Sequence, residues 1–284
     1  MAKPEPGTAA QNWPNGLLLV GCGNMAGAML ARWLDCGLPP ERVTVVRPSG
    51  RPVGDGVTVT TRLPDAIAPD TLVLLGHKPQ QLPDIAPELG ARLGEGATIF
   101  SILAGVSTTQ LAAVLPQAAA HLRAMPNMPV RSGHGVVSLF VDPSVPAYVR
   151  NMADLLCRPL GLVAWLEDEA LFDAATALAG CGPAYVYRFI DALANAGEAV
   201  GLSADVAARM ALATVEGAAL AAAASNDVPG ALADAVASKG GMTREGLDVL
   251  DRPDGLAPLI EATLRAARDR GAELARLAGG PGKA

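Results

Sequence analysis

The stretch Leu17-Leu18-Leu19-Val20-Gly21-Cys22-Gly23-Asn24-Met25-Ala26-Gly27 constrains the fold more than any other part of the chain. An apolar run that stops at a glycine turn reads as a buried strand. Met25, Met29, Leu30, Trp33 and Leu34 then recur at helical spacing, and Gly37 is a plausible stop. Gly21 and Gly23 permit a tight turn and a close backbone approach, and free amides at the start of the helix favour an anion. This is the physical design of a dinucleotide pyrophosphate site. The other reading is a plain strand-to-helix turn that binds nothing.

The same alternation continues downstream. Strands are expected at 43–46, 57–60, 72–75, 98–102, 120–125, 135–141 and 161–166. Strand–helix alternation implies parallel βαβ units and an α/β, doubly wound sheet. After Glu167 the texture changes to Ala, Leu, Glu and Arg, with helices expected at 183–201, 204–224, 229–236, 243–251 and 256–277. The domains are therefore expected to be a flexible tail over 1–16, a dinucleotide-binding domain over 17–166 and a helical domain over 167–284. Several of these helices carry alanine nearly all round, which suits burial in a large core or between subunits.

Charge and cysteine usage narrow the class. The formal net charge of −6 argues against a nucleic-acid binder and against binding to an anionic membrane surface. No apolar run approaches the roughly 20 residues of a membrane span. The opening residues are polar, with Pro4, Pro6 and Pro14, and lack the apolar core of a signal peptide. Cys22, Cys36, Cys157 and Cys181 are widely spaced, so reduced thiols and a cytoplasmic setting are the simplest reading, with no metal cluster.

The end of the second strand bears on the nucleotide. An acidic residue there would hold the ribose 2′-hydroxyl of NAD. This chain has Arg47-Pro48-Ser49-Gly50-Arg51, and arginine with a hydroxyl suits a 2′-phosphate, hence NADPH, with NADH a weaker possibility. A solvated basic loop is the alternative. Gly76-His77-Lys78-Pro79-Gln80 and Ala104-Gly105-Val106 follow two further strands, where ligands of a doubly wound sheet sit.

Three later stretches carry polar groups on rigid backbone. Arg123-Ala-Met-Pro-Asn127-Met-Pro129 could hold Asn127 in a cleft. Gly180-Cys181-Gly182-Pro183 opens a helix, with Cys181 better read as a packing residue than as a reactive thiol. Ser238-Lys239-Gly240-Gly241-Met242-Thr243 places hydroxyls around two glycines at a helix start, which suits a carboxylate; Thr243 could equally serve as the helix N-cap.

In their order and spacing these segments resemble the pyrroline-5-carboxylate reductase family over about residues 17–275. The resemblance implies a Rossmann-like domain followed by an all-helical dimerisation domain, a homodimer as the minimal unit and a possible decamer. It implies hydride transfer from NAD(P)H to the cyclic imine of 1-pyrroline-5-carboxylate, giving L-proline. Carried onto this chain, it assigns the cofactor to Gly21, Gly23, Asn24, Met25, Arg47, Ser49, His77, Lys78, Pro79, Ala104 and Gly105. It assigns the substrate to Ser238, Gly240, Gly241, Met242 and Thr243, with Ser238 and Thr243 as catalytic candidates and Thr243 as the partner of the ring nitrogen. In the family these substrate residues meet the cofactor across a dimer-built cleft.

The chain departs from the family pattern at five positions. Lys239 replaces a usual Pro, His77 a small apolar residue, Met128 a Thr, Leu63 an Asn that helps hold the cofactor, and Asn226 an acidic residue near the substrate amine. Lys239 is read as a carboxylate ligand, a surface side chain or a damaging change. His77 is read as lying near the cofactor or as a solvent-facing loop residue. The competing functions are an NADP-dependent reductase of another cyclic imine and a non-catalytic NADP-binding sensor. A 6-phosphogluconate-type dehydrogenase would need Lys and Asn on the helix that offers Tyr185, Arg188 and Asp191.

Overall fold

The computed structural model describes residues 13–278, and most of the expected tail lies outside them. Of that stretch Trp13 is seen, buried in the core and accepting a hydrogen bond from Arg42 through its carbonyl. The described residues divide into two compact units, one running up to Gly180 and resuming at Arg268, the other spanning Cys181–Ala267.

The first unit contains β1 (Leu17–Val20), α1 (Asn24–Asp35), β2 (Val43–Val46), β3 (Thr58–Thr60) and β4 (Leu72–Leu75). It continues with α2 (Leu82–Arg92), β5 (Thr98–Ser101), α3 (Thr108–Val114), β6 (Ala120–Pro126), β7 (Gly135–Val141), α4 (Ala147–Cys157), β8 (Gly161–Trp165) and the short α5 (Phe172–Ala175). The strands form one sheet in the order β3-β2-β1-β4-β5-β6-β7-β8. The central strands β1 and β4 are continuous apolar runs because both faces are covered. In β1, Leu17 and Leu19 join a cluster with Met29, Trp33 and Leu156, while Leu18 and Val20 join another with Leu89, Ile99 and Leu111.

One pairing departs from the parallel pattern that alternation predicts: β6 and β7 are antiparallel. Their connection, residues 127–134, holds only a 3₁₀ turn at Met128–Ser132. A parallel return needs a crossover of a dozen or more residues. Asn127 is not presented to a cleft as its rigid loop suggested. It is buried; its Nδ2 donates to the Ala179 carbonyl at 2.9 Å and its Oδ1 accepts from Val136 N at 2.8 Å, so the side chain pins the hairpin to the segment before the second unit.

Composition places the domain boundary near Leu166; the compact first unit continues to Gly180. Phe172 of α5 is buried, and a π-helical turn at Thr176–Gly180 leads out, with Thr176 Oγ1 donating to the Phe172 carbonyl at 2.8 Å.

The second unit holds α6 (Gly182–Ala199), α7 (Ala204–Ala224), α8 (Pro229–Ala235), α9 (Met242–Leu250) and the start of α10 (Leu256–Ala278). Ala207 of α7 packs tightly under Gly197 of α6. Much of the remaining apolar surface is uncovered in a single chain, including Phe189, Leu193, Met210, Leu212 and Leu220. The sequence reading expects no run of membrane length, but α7 is long and apolar enough to cross a membrane by length and composition, because its alanines extend the run.

Trp33 is the largest fully buried side chain, and its Nε1 donates to the Leu156 carbonyl at 2.7 Å, tying α1 to the end of α4. Trp33→Ala is expected to cost about 3–5 kcal/mol of stability, read from the midpoint of denaturant unfolding.

Candidate active site

The strand order reverses between β1 and β4, and the crevice beyond the carboxyl ends of such strands is where ligands bind. A cleft of about 650 Å³ lies there, lined by the ends of four neighbouring strands. Its floor is set by the glycine turn. Gly21 has φ +88°, and a Cβ on it would lie 2.6 Å from the His77 amide nitrogen. Only glycine lets the turn after β1 lie flat against the backbone after β4, which leaves a cradle open above it.

Gly21, Gly23, Arg47, Ser49, His77 and Lys78 all line this cleft, together with Leu63. Asn24 and Met25 form the first turn of α1 directly behind it, Asn24 exposed and Met25 packed on the core. Thr61 and Arg62, which follow β3, also line it and carry no motif of their own. Pro79 faces a separate groove of about 350 Å³ with Val106 and Gln110. Ala104 is exposed, and Gly105 borders a third cavity, of about 450 Å³.

Electrostatically the cleft is cationic at one end. Among the described residues Arg47, Arg62 and Lys78 have no carboxylate partner, whereas Glu88 on the same lining is held by Arg92 at 2.7 Å. Burial raises the pKa of Cys22, with Arg47 opposing, so its thiol stays protonated at neutral pH. His77 is not the solvent-facing residue that one reading predicts: it is half-buried on the cleft wall, with Nδ1 2.9 Å from the Lys78 carbonyl. Its Nε2 is buried without a partner among the described residues. Burial lowers its pKa, opposed by that carbonyl, which keeps the ring neutral near pH 7.

The loop after β5 is braced by a buried ion pair. Arg123 Nη1 lies 3.1 Å from Glu169 Oε1, and its guanidinium stacks 3.9 Å from the Phe172 ring. Glu169 also accepts from Thr108 N at 2.9 Å and from Thr108 Oγ1 at 2.7 Å, setting a carboxylate on the first turn of α3. Ser107 and Gln110 complete that helix start by capping each other.

In the second unit, Ser238–Gly241 forms the turn before α9, with Gly241 N donating to the Ser238 carbonyl at 2.9 Å. Gly241 rather than Thr243 is the N-cap, because the helix begins at Met242. Thr243 is the second helical residue, exposed, and its hydroxyl has no partner among the described residues. Ser238 Oγ stands over Gly241, where a Cβ would come within 2.5 Å of it. Lys239 and Gly240 are exposed, and Met242 is 94% exposed. Arg244 fixes this turn by bridging Asp234 of α8 at 3.1 Å, Asp248 at 2.8 Å and Asp251 at 2.8 Å. With Gly241 N spent inside the turn, the helix start offers the first amides of α9 and the hydroxyls of Ser238 and Thr243, with Lys239 beside them, a setting that suits a carboxylate. Asn226 and Met128 are exposed, and Arg188 and Asp191 pair with each other at 3.0 Å.

Comparison with known proteins covers both units. Residues 169–274 match the family described as pyrroline-5-carboxylate reductase dimerisation, and residues 17–105 match NADP oxidoreductase, coenzyme F420-dependent. A pyrroline-5-carboxylate reductase of Pseudomonas aeruginosa is 33% identical, covering 93% of this chain and 98% of its own. The solved structure of such a reductase from Coxiella burnetii superposes with a TM-score of 0.82 at 30% identity, covering 93% of this chain and 99% of that one. A Plasmodium falciparum pyrroline carboxylate reductase with NADP bound, 24% identical, shares the fold with a TM-score of 0.73 over 96% of this chain and 100% of its own.

Because Glu169 is the sole ion-pair partner of the buried Arg123 among the described residues, its removal strands a desolvated charge. Glu169→Ala is expected to destabilise the protein by about 3–5 kcal/mol, and Glu169→Gln by less, in equilibrium unfolding.

Proposed function

Because the chain belongs to the pyrroline-5-carboxylate reductase family, we propose that it reduces 1-pyrroline-5-carboxylate to L-proline with NADPH, as an oxidoreductase of the imine bond. The observation that carries this reading is likeness through both units to a reductase of nearly the same length, 98% of which is covered. The Gly21 cradle, the unpaired arginines and the hydroxyl-lined turn before α9 support it.

NADPH, when bound, supplies the hydride that the imine carbon accepts. Gly21 and Gly23 leave room for the pyrophosphate, and the first amides of α1 face it. Arg47 and Ser49 take the 2′-phosphate. His77, Lys78, Ala104 and Gly105 line the way towards the nicotinamide, although Pro79, Ala104 and Gly105 fall outside the main cleft's lining. The substrate carboxylate sits on the amides of Gly240 and Met242 and on Ser238 Oγ, the Gly241 amide being engaged by the Ser238 carbonyl. That seat fixes the ring so that the Thr243 hydroxyl meets the ring nitrogen. The iminium nitrogen keeps its proton throughout and gains a lone pair as the carbon accepts hydride, so Thr243 holds a growing acceptor and no strong protein acid is needed. Positioning supplies much of the rate, since well-oriented reactants can recover roughly 7–11 kcal/mol.

The minimal unit is a homodimer formed through the helical unit, with assembly to a decamer. The uncovered apolar residues of α6 and α7 support this, and they account for the apolar length of α7 without a membrane. The absence of a nucleic-acid partner rests on the acidic net charge, and a cytoplasmic setting on the widely spaced free cysteines.

Steady-state oxidation of NADPH with 1-pyrroline-5-carboxylate tests the reading, and preference for a six-membered ring imine would overturn it. Thr243→Ala is expected to lower kcat/KM by roughly 1.5–3 kcal/mol, about one to two orders of magnitude, for loss of one hydrogen bond to a charged group. Arg47→Ala is expected to raise KM for NADPH far more than for NADH.

A further inference from the structure

Arg62 has no place in the reading above, yet the fold brings it to the same end of the cleft as Arg47 and Ser49. β3 is the outermost strand beside β2, paired in parallel from Thr44↔Thr58 to Val46↔Thr60, so the two strands end side by side. The residues that follow them are held together. Arg47 N donates to the Thr60 carbonyl at 2.9 Å, closing the ladder one residue beyond β2. Thr60 Oγ1 donates to the Arg62 carbonyl at 2.8 Å, which bends the chain after β3 and fixes where Arg62 departs. Across this junction, Thr61 Cγ2 lies in van der Waals range of where a Cβ on Gly50 would sit, so the 47–50 turn rests on the 60–62 turn.

Arg47 and Arg62 both line the cleft, and neither has a carboxylate partner among the described residues. Of the two carboxylates on the lining, Glu88 is held by Arg92, and Asp84, in the first turn of α2, pairs with neither arginine among the described residues. In a chain with a net charge of −6, this is a local cationic excess on two fixed turns. Two like charges placed together repel, and the arrangement is stable against that cost when an anion sits between them. The apolar Leu63 beside them offers no polar contact to a ribose.

We infer that Arg62 is a second specificity-determining residue of the cofactor site, acting with Arg47 as a two-sided clamp on the 2′-phosphate of the adenosine ribose. This rests on the NADPH reading of the cleft. The competing role for an exposed arginine at a nucleotide site is stacking on the adenine ring, which would be blind to the phosphate.

Binding of adenosine 2′,5′-bisphosphate and of adenosine 5′-monophosphate to the full chain separates these, without substrate or turnover. By calorimetry Arg62→Ala is expected to weaken the bisphosphate about tenfold or more, the loss of a charge-assisted hydrogen bond, and to leave the monophosphate within about twofold. Arg62→Lys should recover part of that loss. A double-mutant cycle with Arg47→Ala should show coupling, because both groups meet one phosphate. Equal weakening of both nucleotides would overturn the clamp in favour of stacking, and no change in either would remove Arg62 from the site. If the unaltered protein fails to prefer the bisphosphate, the phosphorylated-cofactor reading fails with the clamp. If it prefers the bisphosphate yet does not reduce 1-pyrroline-5-carboxylate, the substrate reading fails and the clamp stands.

Discussion

The contact between the Gly21 turn and the backbone of Gly76 and His77 is the constraint from which the cofactor site follows. It brings two strand ends, remote in sequence, to van der Waals distance at the point where the sheet changes direction. A side chain at position 21 would push them apart and fill the space that a pyrophosphate needs. Every other cofactor contact is measured from that floor. Arg47 and Ser49 follow the next strand on one side, and His77 and Lys78 the next strand on the other.

Much of the first unit was legible because its strands are buried on both faces. A strand covered twice is an apolar run bounded by turns, and β2, β4 and β7 have the bounds their sequence implies. Helices were readable where one apolar stripe is long. Pro83 and Pro87 interrupt the apolar pattern of the covering helix α2 and hide it in the sequence, and α3 is only seven residues, stabilised by its cap. The reversal of β7 was hidden because a strand pattern carries no direction; the short connection after Pro126 decides it.

Candidate residues are legible when they follow a strand with a motif and obscure when they depend on neighbours. Arg47 could be read from its own loop. Arg62 becomes meaningful only once β3 is known to lie beside β2. The Arg123–Glu169 pair joins positions 46 residues apart, and nothing local marks Glu169 as its partner. The turn before α9 was recognisable from its glycines, but which residue caps the helix was not. With Gly241 in that role, the Thr243 hydroxyl is left unspent by the fold.

The uncovered apolar surface of α6 and α7 has a thermodynamic consequence. When the faces of a folded unit are completed by a second copy, its stability includes a translational entropy term and scales with the logarithm of protomer concentration. Dilution then acts on such a helical unit as a denaturant does, while the sheet unit, whose two clusters are closed within one chain, is insulated from it. Two units of one chain would then answer to different laws: one to folding alone, the other to mass action as well.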